Sequence, residues 1–253
     1  MKAGLAISVI IGFVSLFLFF KPDTEHQGDK SYDVYQHVKD CKAELGITRK
    51  LPLLSCLDGK QVPIYVDHEE IQEDNWEKLL SSQKKCDNPH WLGGDMGCWT
   101  YSHLQIHKLD EDNILVLNCR QKGNQSLKNW FRETKTNLGM NQAQRKSKYE
   151  HASNAEKTEL YYLYNTFNDI GIILRNIKTG KSCYLTQYGD AVAGFLPPLD
   201  APLPPKENYL KSYNPDQARP PKDFPEALWY RDANSAFKSP AFTATSGCVA
   251  CHN

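Results

Sequence analysis

The placement of cysteine constrains this chain more than any other feature. Of its 8 cysteines, Cys41, Cys56, Cys86, Cys98, Cys119 and Cys183 are spread through the middle, and Cys248 and Cys251 stand at the C-terminal end. An even internal set at wide spacings suits a protein that folds in an oxidising compartment, where thiols pair rather than stay reduced. Sequence does not choose among the pairings. Near-neighbour closure predicts Cys41 with Cys56 and Cys86 with Cys98, leaving Cys119 for Cys183. The competing reading is a set of free, buried thiols acting as small apolar side chains.

The N-terminus points to the same compartment. Ala3 to Phe20 is an uncharged apolar run between Lys2 and Lys21, and as a helix it rises roughly 27 Å, close to the thickness of a bilayer's hydrocarbon layer. It reads as a signal peptide or membrane anchor over residues 1–22, with the bulky stretch before Lys21 favouring the uncleaved anchor. The remainder is expected on the periplasmic or extracytoplasmic face of the membrane. The formal net charge is zero, which excludes a general nucleic-acid binder, since affinity for a polyanion rests on excess Lys and Arg.

Residues 31–195 read as an α+β body of antiparallel hairpins with packed helices, stabilised by disulfides. Tyr32 to Leu45 has helical spacing and a stop at Gly46. Leu54–Leu57 and Val62–Val66 suggest a hairpin about Asp58-Gly59. Tyr101–Leu109 with Ile114–Arg120, and Ile170–Ile177 with Ser182–Tyr188, form two further antiparallel pairs. A bridge between Cys119 and Cys183 would then join the hairpins on neighbouring strands. Ser153-x-x-Glu156 is a capping box opening a helix to about Phe167. The basic helical stretches Leu127–Lys135 and Asn141–Lys148 are a solvated face or a docking patch for an acidic partner, an anionic surface or haem propionates. The acidic run Asp67–Glu77 lacks the alternation and central glycine of an EF-hand. Asn124-Gln125-Ser126 fits a glycosylation sequon.

Of the 14 prolines, most fall between Leu196 and Pro240. Proline fixes φ and removes a donor, so residues 196–240 form an extended C-terminal segment, a spacer or a strap over the body, interrupted by a short helix from Pro225 to Phe237. Residues 241–253 carry the remaining chemistry. Cys248-Val249-Ala250-Cys251-His252 is C-x-x-C-H, in which two thiols can add to the vinyl groups of a porphyrin while the adjacent imidazole ligates its iron.

At these five residues the chain resembles c-type cytochromes, and its order of parts is similar to exported bacterial proteins that carry a cytochrome c domain of unknown activity. The resemblance implies a covalent haem c on Cys248 and Cys251, His252 as proximal ligand to the haem iron, and dependence on the cytochrome c maturation machinery. It implies electron transfer with a redox partner protein, or haem-based sensing, more than an enzyme's chemistry, although an open iron site would favour small-ligand binding or peroxidase-like chemistry. One residue follows His252, so residues 241–253 make an incomplete haem-attachment segment. A distal ligand must come from upstream, from another chain or from a longer reading frame, unless the iron keeps an open position. Upstream candidates are His90, Met96, His103, His107, Met140 and His151, with His103 and His107 spaced like a metal-binding pair. The alternative is an extracytoplasmic binding or structural module whose C-x-x-C is vestigial or a thiol-redox pair. No hydrolase, Walker or dinucleotide motif is present.

Overall fold

The computed structural model describes residues 32–63, 65–70, 102–120 and 142–245. Helix α1 spans Val34–Leu45. Asp33 caps its start, accepting from the Tyr35 N–H at 3.0 Å, and Gly46 ends it at φ 75°, a left-handed conformation that costs glycine nothing. Val34, Val38, Cys41 and Leu45 make its buried stripe.

The strands are β1 (Lys60–Gln61), β2 (Tyr65–Val66), β3 (Glu69–Glu70), β4 (Ser102–Lys108), β5 (Asn113–Arg120), β6 (Thr166–Asn176) and β7 (Ser182–Ala193). Five of them form one antiparallel sheet in the order β1-β4-β5-β6-β7, and β2 pairs with β3 apart from it. Helices α2 (Gln142–His151) and α3 (Asn154–Asn165) lie between β5 and β6 in sequence. The two long hairpins and the capping box form as the sequence predicts: the Ser153 side chain accepts from Glu156 N–H while Glu156 accepts from Ser153 N–H. Phe167 belongs to β6 rather than to α3.

Period-two alternation gives the sheet two unlike faces. The registers place Cys119 beside His103 and Ile170, Leu117 beside Gln105 and Ile172, and Leu115 beside His107 and Leu174 on one face. That face is the core, packed with the buried stripe of α1, Leu51, Leu54, Leu196, Leu199 and Phe237. The other face carries Leu104, Asn118, Gly171 and Thr186 in one row and Ile106, Val116, Ile173 and Tyr184 in the next.

Two disulfides staple this core, and they correct the near-neighbour pairing. Cys41 of α1 is joined to Cys183 of β7, with Cα atoms 5.9 Å apart. Cys56 is joined to Cys119 of β5, with Cα atoms 5.7 Å apart. Strand β6 lies between β5 and β7, so Cys119 and Cys183 are at least two strand spacings apart, about 10 Å, beyond a disulfide's reach. Cys86 and Cys98 lie outside the described residues.

The expected Leu54–Val66 hairpin is also corrected. Ser55 bridges Phe195, Cys56–Asp58 is a 3-10 turn, and β1 pairs with β4. The Cys56 N–H is taken by the Gly194 carbonyl at 2.7 Å, so the segment's backbone bonds are spent on distant partners. At Gly59 a β-carbon would lie 2.8 Å from that of His103, so only glycine lets this turn sit against β4.

The proline-rich segment is an ordered strap and no free spacer. Tyr209, Tyr213, Phe224, Ala233, Ala236 and Phe237 are all buried. Tyr213 donates its hydroxyl to the Leu196 carbonyl, and Tyr230 donates to the Pro204 carbonyl at 3.0 Å. Short helix α4 (Lys206–Tyr209) opens the strap. The predicted Pro225–Phe237 helix is split into a 3-10 turn, Glu226–Leu228, and a one-turn α5, Ala233–Ala236. Trp229 leaves helical geometry with φ −127°, and Asp232 caps a fresh start by accepting from Asn234 N–H at 2.9 Å. Asn234 Oδ1 in turn accepts from Val34 N–H at 2.6 Å, so the strap satisfies an orphan donor of α1.

Candidate functional site on the second face of the sheet

The strap ends by rounding the edge of β7. Phe237 is buried in the core face, and Lys238 N–H donates to the Thr186 carbonyl at 2.8 Å. Helix α6 (Pro240–Thr245) then packs on β7. Its Phe242 ring lies 6.4 Å from that of Tyr188, and Tyr188 shares a row with Asp169, on the second face. Pro240 starts α6 with a preset φ, and Ser239 caps it by accepting from the Phe242 N–H at 3.3 Å. The chain is thereby delivered to the second face immediately before the terminal motif.

That face is built in layers. Its first row, Ser102, Arg120, Asp169 and Tyr188, runs across four strands. Arg120 and Asp169 form an ion pair at 3.0 Å with Asp169 almost wholly enclosed. A bulge between Phe167 and Asp169 turns β6 at this point, a device that re-aims side chains near functional surfaces. The next row sets Leu104, 37% exposed, beside Asn118, Gly171 and the buried Thr186, and the row after it carries Ile106, 65% exposed, with half-buried Val116, Ile173 and Tyr184. The last row carries Lys108 and Arg175, both exposed. Exposed Ile106, with Lys108 and Arg175 one row beyond, leaves a small apolar patch bordered by cations.

Cys248, Cys251 and His252 lie outside the described residues, as do His90, Met96, Met140 and residues 1–22. His103 points into the opposite, core face. It is 3% exposed, its Nδ1–H donates to the Cys56 carbonyl at 2.7 Å, and its ring lies 5.5 Å from that of Phe167. Burial pushes its pKa below the ordinary histidine value, against the opposing bond to Cys56. His107 Nε2 is 2.8 Å from Gln105 Oε1, and burial lowers its pKa too, opposed by Asp58. Four residues apart on a strand, the two rings are separated by about 13 Å, so they do not form a shared metal site. The same spacing on a helix would have brought them together. His151 ends α2, with Nδ1 2.7 Å from the Ser147 carbonyl. Among the described residues no group of three or more His, Cys, Asp or Glu could hold a metal ion.

Of the basic stretches, Asn141–Lys148 falls largely within α2, where Lys146 faces Asp216 at 3.9 Å; Leu127–Lys135 lies outside the described residues. A groove of about 450 Å³ along α1 is lined by Asp33, Tyr35, Lys39, Lys42 and Asp200. Its groups are already engaged: Lys42 with Asp200 at 2.7 Å and Tyr35 with Asp232 at 2.8 Å. Arg120, Asp169, Tyr188 and Phe242 were not singled out from sequence, although a charge at 169 inside a strand of isoleucines was a usable signal. No family model, curated protein or solved structure matches this chain.

Proposed function

We propose that this is an exported c-type haem protein, working in electron transfer or haem-based sensing. The observation that carries the reading is Cys248-x-x-Cys251-His252, a donor set of two thiols and an imidazole at the spacing that haem attachment needs. Each thiol adds across one vinyl group, its proton going to the neighbouring carbon, so attachment requires free thiols and no oxidant. His252 then supplies the proximal ligand. The bound haem contributes a one-electron couple and a coordination position for a small ligand.

Two further observations support the reading. The disulfides of the body suit an extracytoplasmic compartment, the one in which the cytochrome c maturation machinery would act. Helix α6, which packs on β7, ends three residues before Cys248, so the motif follows the folded body closely in sequence. Residues 3–20 supply a signal peptide or anchor in this proposal. Among the described residues no helix is long and apolar enough to cross a membrane.

The test is production of the full chain in a host with haem-attachment machinery. A pyridine haemochrome of the c type, with the mass of the protein plus one haem, is expected, and Cys248→Ala/Cys251→Ala should abolish it. An apoprotein of unmodified mass, made in cells where a control cytochrome matures, refutes the proposal. It would leave the binding module with a vestigial or thiol-redox C-x-x-C.

A further inference from the structure

We propose that the Cys41–Cys183 bridge is a thiol-exchange site: an incoming thiolate attacks Cys183 Sγ, His37 stabilises the charge left on Cys41, and α1 is released from β7 while Cys56–Cys119 keeps the body closed. The terminal motif plays no part in it.

Access separates the two bridges. Cys56 and Cys119 are wholly enclosed, and Cys119 lies on β5, the central strand of the five. A thiolate reaches that bridge only when the protein opens. Cys183 is the second residue of β7, an edge strand of the sheet, and it is half-buried. Cys41 is only 4% exposed, so Cys183 is the sulfur that a thiol from outside meets first.

The leaving group is prepared. His37 stands one helical turn before Cys41, and its Nε2 lies 3.6 Å from Cys41 Sγ, within hydrogen-bond distance for sulfur. The Tyr32 ring packs beside the imidazole, with centroids 5.9 Å apart. A disulfide sulfur is a weak acceptor and a thiolate is a charged one, so a bond from the imidazole N–H strengthens as the S–S bond breaks. A stabilised leaving thiolate departs faster. In the step itself, a lone pair of the attacking sulfur forms the new bond to Cys183, and the electron pair of the old bond stays on Cys41. A second thiolate then takes the attacker's sulfur and leaves Cys183 as a thiolate, so two thiols lose the two electrons that the bridge gains. Val34 N–H to Asn234, Tyr35 to Asp232 and Lys42 to Asp200 still hold α1 to the strap. The reduced protein is therefore loosened at α1 and not unfolded.

The experiment exposes the oxidised full chain to glutathione at neutral pH, quenches with acid and alkylation, and maps the peptides. Cys41–Cys183 should open about a hundredfold faster than Cys56–Cys119 in native buffer, and the difference should shrink to within about threefold in urea. The first product should carry glutathione on Cys183 and an alkylated Cys41. His37→Leu should slow the opening roughly fivefold with the urea midpoint of the oxidised protein unchanged, and His37→Gln, which keeps a side-chain N–H donor, should restore most of the rate. Glutathione found mainly on Cys41, equal rates for the two bridges in native buffer, or no opening until urea unfolds the chain overturns the exchange site. An unchanged rate in His37→Leu overturns the assignment of His37.

Discussion

Removing the bridge between Cys41 and Cys183 gives the sharpest test of the architecture. The bridge spans 142 residues of sequence, but the Cys56–Cys119 link shortcuts 63 of them. The loop that Cys41–Cys183 closes is therefore about 79 residues, which in the chain-entropy treatment corresponds to about 4.5 kcal/mol of constraint on the unfolded chain. The inner loop of 63 residues corresponds to about 4.3 kcal/mol. In Cys41→Ala/Cys183→Ala, Val34, Val38 and Leu45 still bury α1, so the variant should remain folded with a much lower urea midpoint by far-ultraviolet circular dichroism. Cys41→Ala/Cys56→Ala removes one partner from each bridge and forfeits roughly 9 kcal/mol, comparable to the whole stability of a typical domain. It should be unfolded. Pairing of Cys41 with Cys56 predicts the opposite ranking, since the second variant would then break one short loop only. A Cys41→Ala/Cys56→Ala protein at least as stable as Cys41→Ala/Cys183→Ala would refute the pairing and the placement of α1 across the sheet.

Non-reducing peptide mapping should recover Cys41 linked to Cys183 and Cys56 linked to Cys119; a Cys119–Cys183 peptide would show β5 and β7 to be neighbours. Protonation of His103 is disfavoured in the folded state and ordinary in the unfolded one, so the unfolded chain binds more protons as pH falls below about 6.5. Stability present above that pH should therefore be lost progressively below it, and His103→Gln should flatten this part of the profile in urea melts at graded pH; an unchanged slope would remove the buried neutral imidazole. Asp200 accepts from Leu51 N–H at 2.8 Å and from Lys42 at 2.7 Å, so Asp200→Ala should cost about 2 kcal/mol in chemical denaturation by leaving both donors unpaired. Asp169→Leu strips Arg120 of a carboxylate in an almost enclosed pair and should cost about 3 kcal/mol, with a stability loss below 1 kcal/mol arguing that the second face is solvated there.

Sequence determined the local units of this protein because they depend on neighbours. The Asp33 and Gly46 ends of α1, the Ser153 capping box and the two long hairpins all follow from residues close to one another in sequence. The chemistry of Cys248-x-x-Cys251-His252 is equally a matter of spacing. Tertiary structure decided everything that joins distant residues. Strand order places β6 between Cys119 and Cys183 and sends each to another partner. A strand rather than a helix carries His103 and His107, separating them by about 13 Å. The proline-rich segment, ambiguous between spacer and strap, becomes a strap because its Tyr213 and Phe224 rings pack on Phe195 and Tyr161 of the folded body. The path of that strap round the edge of β7, set by one backbone hydrogen bond to Thr186 and one ring against Tyr188, is what carries helix α6 to the second face of the sheet.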